Sequence, residues 1–313
     1  MNPFISIIIP TYNHAHFLKK SLQSVLDQKY DNWEAIVIDN HSTDATDKVV
    51  FGFNDNRIKL LKINNNGIIA RSRNLGIKEA KGNWIAFLDS DDLWYPTRLS
   101  LVLTILESEN KYDVVCTDEL MVDIETGNTK ILKHGPYVKE FYKTMLLYGN
   151  RLSTSATLVR RSFLNKYELL FPEERDFVTV EDYGLWLKLA LNKAKFKFIH
   201  STEGEYTIHG NNCSQDLALH YQNLYRLLKY HASILANIKK YKNIGSRLSL
   251  IKARRLLASK ELYLAIVEML SIDFIWLIKF SLLKLNIVKQ TLELYQGFSP
   301  LKKIIPQEYG NKK

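Results

Sequence analysis

Short apolar segments alternate with longer amphipathic segments through the first 120 residues. The apolar segments are rich in Ile and Val and are bounded by Pro, Asn or Asp, which is typical of buried strands. They are Ile5–Ile9, Glu34–Ile38, Ile58–Ile63, Trp84–Leu88 and Asp113–Thr117. This alternation indicates βαβ units, and it predicts an α/β protein with a mostly parallel sheet flanked by helices.

Helices are predicted between these strands. Apolar residues recur at helical spacing from Leu18 to Leu26. The segment Ser42–Asp44 is typical of an N-cap and predicts a helix over Ala45–Phe51. The segment Pro96–Leu106 predicts another helix, with Pro near its first turn.

The pattern is less regular in the middle of the chain and becomes helical towards its end. The middle predicts a turn, a strand and a short helix at Gly127–Asn128, Ala156–Arg160 and Tyr183–Ala190. Beyond Asp216 the spacing predicts helices from Leu217 onwards, over Leu248–Val267 and over Phe274–Leu294. We place a boundary near Cys213, so that residues 1–213 form an α/β domain and residues 214–313 a helical region.

Composition excludes several classes of protein. The 313 residues are 46% hydrophobic and 24% charged, which is typical of a globular chain and not of a disordered one. Cys116 and Cys213 are far apart and form no metal-binding motif, so a reducing compartment is expected. Met1 leads directly into the first apolar segment without a basic signal region, which favours the cytoplasm. The apolar stretch Leu262–Val288 is interrupted by charges, so we expect it to lie on a membrane and not to cross one.

The positive charge is concentrated in the helical region. Residues 211–313 hold 17 Lys and Arg against six Asp and Glu, whereas residues 1–210 hold 26 and 27. Ten Lys and Arg and no acidic residue lie between Leu217 and Lys260. Basic amphipathic helices of this kind predict contact with an anionic membrane surface through residues 217–288. The alternatives are a nucleic-acid-binding module, a solvated helical bundle, or self-association through the apolar surface of Leu262–Leu285.

Polar segments follow three of the predicted strands. They are Pro10–Asn13, Asp39–Asp44 and Asp89–Asp92. Because the carboxyl ends of parallel strands meet at one edge of a sheet, these segments are expected to share one crevice. The turn Pro10–His14 contains no Gly and the chain has no P-loop motif, so phosphates there would be neutralised by a metal and by basic side chains.

The segment Asp89–Asp92 holds three carboxylates in four residues. Such groups repel one another unless a cation or several donors lie between them. Mg²⁺ and Mn²⁺ are commonly held by one or two carboxylates together with substrate phosphates, so the cluster predicts a divalent cation and a diphosphate ligand. An acidic turn without a ligand is one alternative. A metal-dependent nucleotidyl- or phosphotransfer enzyme using the same cluster is another.

Five segments carry a resemblance to a known family. They are Ser6–Asn13, Val37–Asp44, Ala70–Gly76, Phe87–Asp92 and Glu181–Trp186. In order and spacing they are similar to the nucleotide loop, base-recognising Asp, Ala-Arg-Asn-x-Gly segment, DxD motif and Glu-Asp acceptor motif of the family 2 glycosyltransferases. The resemblance covers residues 4–210, with Ser72 where the family usually has Ala. It implies a GT-A fold, in which a Rossmann-like nucleotide-binding sheet carries a metal-dependent sugar-transfer site.

The resemblance also implies roles for individual residues. It assigns nucleotide-sugar binding to Pro10, Thr11, Tyr12, Asn13, Asp39, Arg71, Arg73, Asp89, Ser90 and Asp91. It assigns the cation, Mn²⁺ or Mg²⁺, to Asp91, with Asp89 and Asp92 beside it, and acceptor binding to Glu181. Residues 1–118 would then form the donor-binding half of the domain and residues 119–213 the acceptor-binding half.

Sugar transfer requires that an acceptor hydroxyl lose its proton while a nucleoside diphosphate leaves. Asp182 is the predicted base. One base with in-line displacement inverts the anomeric configuration, which is also what the resemblance implies. Trp186, four residues later, is expected on the same helical face and could stack against an acceptor sugar, a core position being the alternative.

One position departs from the family. Thr207 stands where an Arg is usual, two residues before His209. His209 or Arg73 is therefore the candidate to neutralise the leaving diphosphate. Three other histidines near the crevice show no ligand spacing and are interpreted as surface or hydrogen-bonded residues: His14, His16 and His41.

These observations together predict a cytoplasmic inverting glycosyltransferase, peripheral at the inner face of the membrane. Its donor is a nucleoside diphosphate sugar, with a UDP-sugar favoured. Its acceptor is a glycan, expected to be lipid-linked, in the synthesis of a cell-surface polysaccharide such as O-antigen or capsule. No nucleic acid partner is expected.

Overall fold

A computed structural model describes residues 3–109, 111–210, 216–234, 243–273 and 276–277. Strands in this part of the chain are β1 (Ile5–Thr11), β2 (Trp33–Asp39), β3 (Ile58–Lys62), β4 (Trp84–Phe87), β5 (Leu93–Trp94), β6 (Val114–Asp123), β7 (Thr129–Leu132), β8 (Thr157–Arg160) and β9 (Phe196–Ile208). Helices are α1 (Ala15–Leu26), α2 (Thr46–Gly52), α3 (Ile69–Glu79), α4 (Arg98–Ser108), α5 (Phe141–Tyr148), α6 (Arg161–Lys166), α7 (Glu181–Leu191), α8 (Leu217–Ile234), α9 (Ile244–Ala258) and α10 (Leu262–Leu270).

The strands form one mixed sheet in the order β3-β2-β1-β4-β8-β6-β9-β5, with β7 paired to β6. The strands β3, β2, β1 and β4 are parallel, and Ile5 lies opposite both Trp33 and Trp84. Beyond them, β8 is antiparallel to β4 and β6, whereas β9 is parallel to β6. The predicted α/β fold is confirmed. Parallel pairing is found among the first four strands and between β6 and β9, and the other pairs are antiparallel. The sequence did not predict the antiparallel pairs, because an apolar run does not reveal the direction of a buried strand.

The first two strands are buried over their whole length. Every residue of β1 and β2 is inaccessible or nearly so, as expected when helices cover both faces of a sheet. On one face Ile8 and Phe87 pack in the same cluster as Trp186. On the other face Ile7 packs with Leu18. The loops at the carboxyl edge are therefore held by a rigid base.

Local capping fixes the first turns of α1 and α2. The helix predicted over Ala45–Phe51 runs one residue later, over Thr46–Gly52. Asp44 accepts hydrogen bonds from the backbone N–H groups of Thr46, at 3.0 Å, and Ala15, at 2.9 Å. One carboxylate thus joins the loops that follow β1 and β2, next to each other at the sheet edge.

The helical region packs on the α/β part of the chain. Leu227, Leu228 and Ile251, from α8 and α9, belong to the same buried cluster as Trp186. Among the described residues, no helix is both long enough and apolar enough to cross a membrane.

The single helix predicted over Leu248–Val267 is wrong. The chain breaks between α9 and α10 at Lys260, whose φ of 62° lies in the left-handed region. The boundary predicted near Cys213 lies outside the described residues. So does the helix predicted over Phe274–Leu294, apart from residues 276–277.

Candidate active site

A cavity of about 720 Å³ opens at the carboxyl edge of β1, β2 and β4. Eleven of the residues singled out from the sequence line it: Pro10, Thr11, Tyr12, Asn13, Arg73, Asp89, Ser90, Asp91, Asp92, Glu181 and Asp182. Four others do not line it: Asp39, Arg71, Trp186 and His209. The three polar segments were predicted to share one crevice. The loops after β1 and β4 line the cavity with several residues each, and the loop after β2 lines it with Asn40.

The loops after β1 and β2 hold each other in place. The side chain of Asn13 accepts a hydrogen bond from the backbone N–H of Thr43 at 2.8 Å, and the backbone N–H of Asn13 donates to Ser42 at 2.8 Å. Asn13 has a φ of 53°, a left-handed conformation that Asn tolerates better than most residues. Beside it, Tyr12 is 53% exposed and offers an aromatic face at the cavity.

Asp39 is fully buried below this cavity. Its carboxylate accepts hydrogen bonds from Ser42 and forms an ion pair with Lys62, whose Nζ lies 2.7 Å away. In the structure Asp39 therefore stabilises the loop after β2. Its contact with a nucleotide base stays a prediction.

The acidic segment after β4 is divided between three environments. Asp89 forms an ion pair with Arg73, in which Oδ1 of Asp89 lies 2.7 Å from Nη2 of Arg73. Oδ2 of Asp91 lies 2.9 Å from Nε2 of His209. Asp92 is buried and accepts hydrogen bonds from the Ser155 hydroxyl at 2.5 Å and from the backbone N–H of Thr207 at 2.9 Å.

Negative charge in this segment is poorly solvated. Burial and the neighbouring Asp89 raise the pKa of Asp91 above its ordinary value. Burial and the neighbouring Asp91 raise the pKa of Asp92 well above its ordinary value. A cation at the mouth of the segment would relieve this repulsion.

The donor groups at this place fit a divalent cation that also binds the substrate. Asp91 supplies a carboxylate and His209 an imidazole, and a cation such as Mn²⁺ completes its coordination with phosphate and water oxygens. Within the described part of the chain, no group of three or more His, Cys, Asp or Glu side chains is arranged to hold a metal by itself. Asp92, predicted beside the metal, is instead occupied with Ser155 and Thr207 and ties β9 to the acidic segment.

His209 does not line the cavity itself but contacts His14, which does. It is buried, it stacks on Phe17 with ring centroids 4.6 Å apart, and its ring lies 5.7 Å edge-on from that of His14. Nδ1 of His14 lies 3.2 Å from the hydroxyl of Ser90. His14 therefore lines the cavity as a hydrogen-bonded residue, which is one of the two interpretations that the sequence allowed.

Arg73 links the acidic segment after β4 to the first turn of α7. Its buried guanidinium donates to Asp89 and to Glu181, each at 2.7 Å. Burial alone would lower the pKa of Arg73, but the two carboxylates outweigh it and raise the pKa. The sequence placed Arg73 at a phosphate and Glu181 at the acceptor, and in the structure they bind each other. Arg71, also placed at the donor, is half-exposed and lies 3.6 Å from Glu173.

Asp182 faces the cavity from the first turn of α7. Its carboxylate accepts a hydrogen bond from the side chain of Asn150 at 3.1 Å. Burial raises the pKa of Asp182 to about 7, and the neighbouring Glu181 carboxylate adds to the effect while Arg73 opposes it. A carboxylate with a pKa near neutrality is well matched to accept a proton during catalysis.

The expected stacking of Trp186 against an acceptor sugar is wrong in this structure. Trp186 has no accessible surface, and its ring packs edge-on against Phe87 and Phe171, with ring centroids 6.2 and 6.1 Å away. Trp186 lies one turn of α7 after Asp182, and at that position the same face of the helix packs against the core. The alternative, a core tryptophan, is what the structure shows.

The fold and this site define an enzyme that transfers sugar, a glycosyltransferase of the GT-A fold. Residues 6–167 match the family model described as glycosyl transferase family 2. The chain belongs to this family, as the five sequence segments predicted. That membership supports the sugar-transfer interpretation over the phosphotransfer one.

Two relatives from Escherichia coli are UDP-Glc:alpha-D-GlcNAc-diphosphoundecaprenol beta-1,3-glucosyltransferases. WfgD is 35% identical over 185 residues, which cover 59% of this chain and 69% of WfgD. WfaP is 31% identical over 210 residues, which cover 67% of this chain and 79% of WfaP.

Solved structures confirm the fold. Residues 1–349 of TarS from S. aureus, in complex with UDP-GlcNAc, match with a TM-score of 0.63 and 22% identity, covering 81% of this chain and 73% of that one. The mannosyltransferase PcManGT from Pyrobaculum calidifontis, in complex with GDP-Man and Mn²⁺, matches with a TM-score of 0.61 and 16% identity, covering 97% and 85%.

Proposed function

We propose that this protein transfers a sugar from a UDP-sugar to a lipid-linked glycan acceptor in the synthesis of a cell-surface polysaccharide. The names of WfgD and WfaP support this substrate pair, because each specifies UDP-glucose as donor and GlcNAc-diphosphoundecaprenol as acceptor. UDP-glucose is accordingly the first donor to test.

The observation that carries the proposal is the placement of Asp182. It lies in the same cavity as the acidic segment Asp89–Asp92, and burial raises its pKa to about 7. In the proposed reaction Asp182 takes the proton from the acceptor hydroxyl, the hydroxyl oxygen bonds to the anomeric carbon, and the bond from that carbon to the diphosphate breaks. Attack from the face opposite the leaving group inverts the configuration.

At the donor end, Thr11, Tyr12 and Asn13 would bind the nucleotide, with Asp39 as the partner of the base. Asp91 and His209 would hold a divalent cation, with Asp89 beside them. When bound, the cation would neutralise the charge that develops on the leaving diphosphate. Arg73 would position Asp89 and Glu181 relative to each other without itself binding phosphate.

We also propose that the helical region attaches the enzyme to the inner face of an anionic membrane. The apolar side chains of α10 support this attachment, since Leu262, Tyr263 and Leu270 are 62%, 77% and 81% exposed. The basic residues of α8 and α9 would add attraction to acidic lipid headgroups.

The direct test is transfer of labelled glucose from UDP-glucose to GlcNAc-diphosphoundecaprenol in the presence of Mn²⁺. We expect the wild-type chain to form a disaccharide on the lipid. The variant Asp182→Asn should bind UDP as the wild type does but turn over about a hundredfold more slowly or worse.

Glu174→Gln is the matched control, because Glu174 is an exposed carboxylate near the same helix. It should retain full activity. Wild-type turnover by Asp182→Asn would remove Asp182 from the mechanism, and failure of the wild type to use the lipid acceptor would overturn the substrate proposal.

A further inference from the structure

Arg151 is a buried cation that no carboxylate of the described residues balances. It follows Asn150 in the loop between α5 and β8 and is 8% exposed. Its Nε is buried without a hydrogen-bond partner, and within the described ranges of the chain no carboxylate pairs with it. Burial lowers the pKa of Arg151, because removing a cation from water is unfavourable. Such a group is costly unless an anion reaches it.

The loop that carries Arg151 borders the reaction site on both sides. The preceding residue, Asn150, donates a hydrogen bond to the proposed base Asp182 at 3.1 Å. Two and three residues further on, Ser153 and Thr154 line the cavity. Arg151 is therefore anchored in a loop that contacts the proposed base at one end and lines the cavity at the other.

A second guanidinium approaches the same loop from the helical region. Arg247 of α9 is buried, and its Nη2 lies 3.5 Å from the place that a Cβ on Gly149 would occupy. Burial raises the pKa of Tyr183, while Arg247 and Arg151 both act to lower it, so the two cations lie near enough to interact electrostatically with this phenol. That ring is fixed by a hydrogen bond from its hydroxyl to the backbone oxygen of Met145 at 2.5 Å.

We propose that Arg151, with Arg247 beside it, binds a diphosphate group of the acceptor substrate. The inference rests on the proposed function, in which the acceptor sugar is joined to a lipid through a diphosphate. A guanidinium suits this ligand, because its planar donors match two phosphate oxygens at once. Binding the anionic end of the acceptor at Arg151 orients the attached sugar, so that one of its hydroxyls faces Asp182.

The test compares two synthetic ligands with the same sugar and the same chain. One is GlcNAc linked through an α-diphosphate to decanol, and the other is decyl α-GlcNAc without phosphate. Calorimetry with EDTA removes the cation on which diphosphate binding at the nucleotide site is expected to depend. Wild type should bind the diphosphate ligand about tenfold or more tightly than the glycoside, as hydrogen bonds to charged groups allow.

Arg151→Gln should lose this preference while binding the glycoside as the wild type does. Arg151→Lys should keep part of it, because Lys retains the charge but not the planar donors. Lys139→Gln, at an exposed cation before α5, is the charge-matched control and should keep the full preference. An undiminished preference in Arg151→Gln, or equal weakening of both ligands, would overturn the proposal.

Thermal unfolding separates a binding role from a structural one. Since Arg151→Gln removes an uncompensated buried charge, its Tm should equal or exceed that of wild type. A lower Tm with both ligands weakened equally would assign Arg151 to folding alone, against the proposal.

The subsite can also be tested if the proposed acceptor is wrong. Should wild type bind neither synthetic ligand, inorganic pyrophosphate with EDTA is the remaining probe. A rise in Tm for wild type that is absent in Arg151→Gln would keep the anion subsite and reject the acceptor. No rise in wild type would overturn the subsite as well.

Discussion

Asp89 and Glu181 act on both Arg73 and Asp182, but with different results. The guanidinium of Arg73 lies between Asp89 and Glu181 and forms a buried ion pair with each. Asp182, next along α7, accepts hydrogen bonds from the Asn150 side chain and the Tyr183 backbone and lines the cavity. Because the Arg73 guanidinium is occupied by two other carboxylates, Asp182 is the carboxylate that we propose to exchange a proton with the substrate.

The pH dependence of the reaction should report this difference. With a pKa of about 7, Asp182 is protonated below neutral pH and cannot accept the hydroxyl proton. We therefore expect kcat/KM to fall about tenfold for each pH unit below 7 and to level off above it. The groups that face Asp182 are Glu181, Arg73 and Asp89, and of these Glu181 and Asp89 raise the pKa while Arg73 lowers it.

The variant Asp182→Asn should retain a residual rate without this acid limb. Glu174→Gln should retain the wild-type profile. An acid limb of unchanged midpoint in Asp182→Asn would show that another group titrates.

Close packing between elements places the site as much as the chemistry does. The turn before β4 passes so near to β1 that a Cβ on Gly82 would lie 2.5 Å from the backbone nitrogen of Ser6 and 2.8 Å from the oxygen of Phe4. The pairing of β1 with β4 brings the loop Pro10–Asn13 next to the segment Asp89–Asp92. Only Gly allows this approach.

Gly82→Ala should therefore destabilise the protein by about 1–3 kcal/mol, as overpacking against fixed atoms does. Urea unfolding measures this directly. Gly52→Ala is the control, since a Cβ there meets nothing within 4 Å and the backbone is helical. It should leave stability unchanged or raise it by up to about 1 kcal/mol. Equal stability of the two variants would contradict the packing argument.

The helix α10 shows the opposite arrangement, an element whose apolar side chains are left exposed. Replacing Leu262 and Leu270 together with Gln should weaken binding to vesicles that contain phosphatidylglycerol by about tenfold or more, because each exposed Leu loses a favourable transfer into lipid. Flotation of the protein with vesicles measures the effect. Phe51→Gln, at an apolar residue of α2 that is 70% exposed, should bind as wild type does. Unchanged binding of the double variant would refute attachment through α10.

On the scale of the whole molecule, the cavity joins parts of the chain that are far apart in sequence. Asp91 follows β4 and His209 follows β9, yet their side chains meet at 2.9 Å. Asp92 strengthens this connection by accepting the backbone N–H of Thr207. A cation bound between Asp91 and His209 should therefore hold β9 against the donor loops.

We expect UDP to bind more tightly with Mn²⁺ than without it, and the two together to raise Tm more than either does alone. Asp91→Asn should lose the effect of Mn²⁺ while remaining folded. Calorimetric titration of UDP with Mn²⁺ and with EDTA gives the comparison. Equal UDP affinity in both buffers for wild type would remove the cation from the proposal.

Glu174→Gln serves again as the control, because it removes a carboxylate outside the cavity. Its affinity for UDP should depend on Mn²⁺ as that of wild type does. If UDP affinity no longer depended on Mn²⁺ in this variant, the effect of Asp91→Asn would be due to the change in net charge and not to the loss of a metal ligand.

The sequence by itself determined the family, the α/β fold and the strands whose following loops line the cavity. Local patterns were sufficient because Ile5–Ile9 and Glu34–Ile38 are buried on both faces, which requires apolar residues throughout. The acidic segment was also evident, since three carboxylates within four residues repel one another unless a cation or several donors lie between them.

Only the tertiary structure decided the directions of the later strands and the partner of each charged side chain. Arg73 pairs with Glu181 across 108 positions, and Asn150 contacts Asp182 across 32. The burial of Trp186 and of Arg151 depends in the same way on what packs against them. Such contacts join residues that no local spacing relates, so long-range packing and desolvation, and not the local pattern, fix which groups are left to bind substrate.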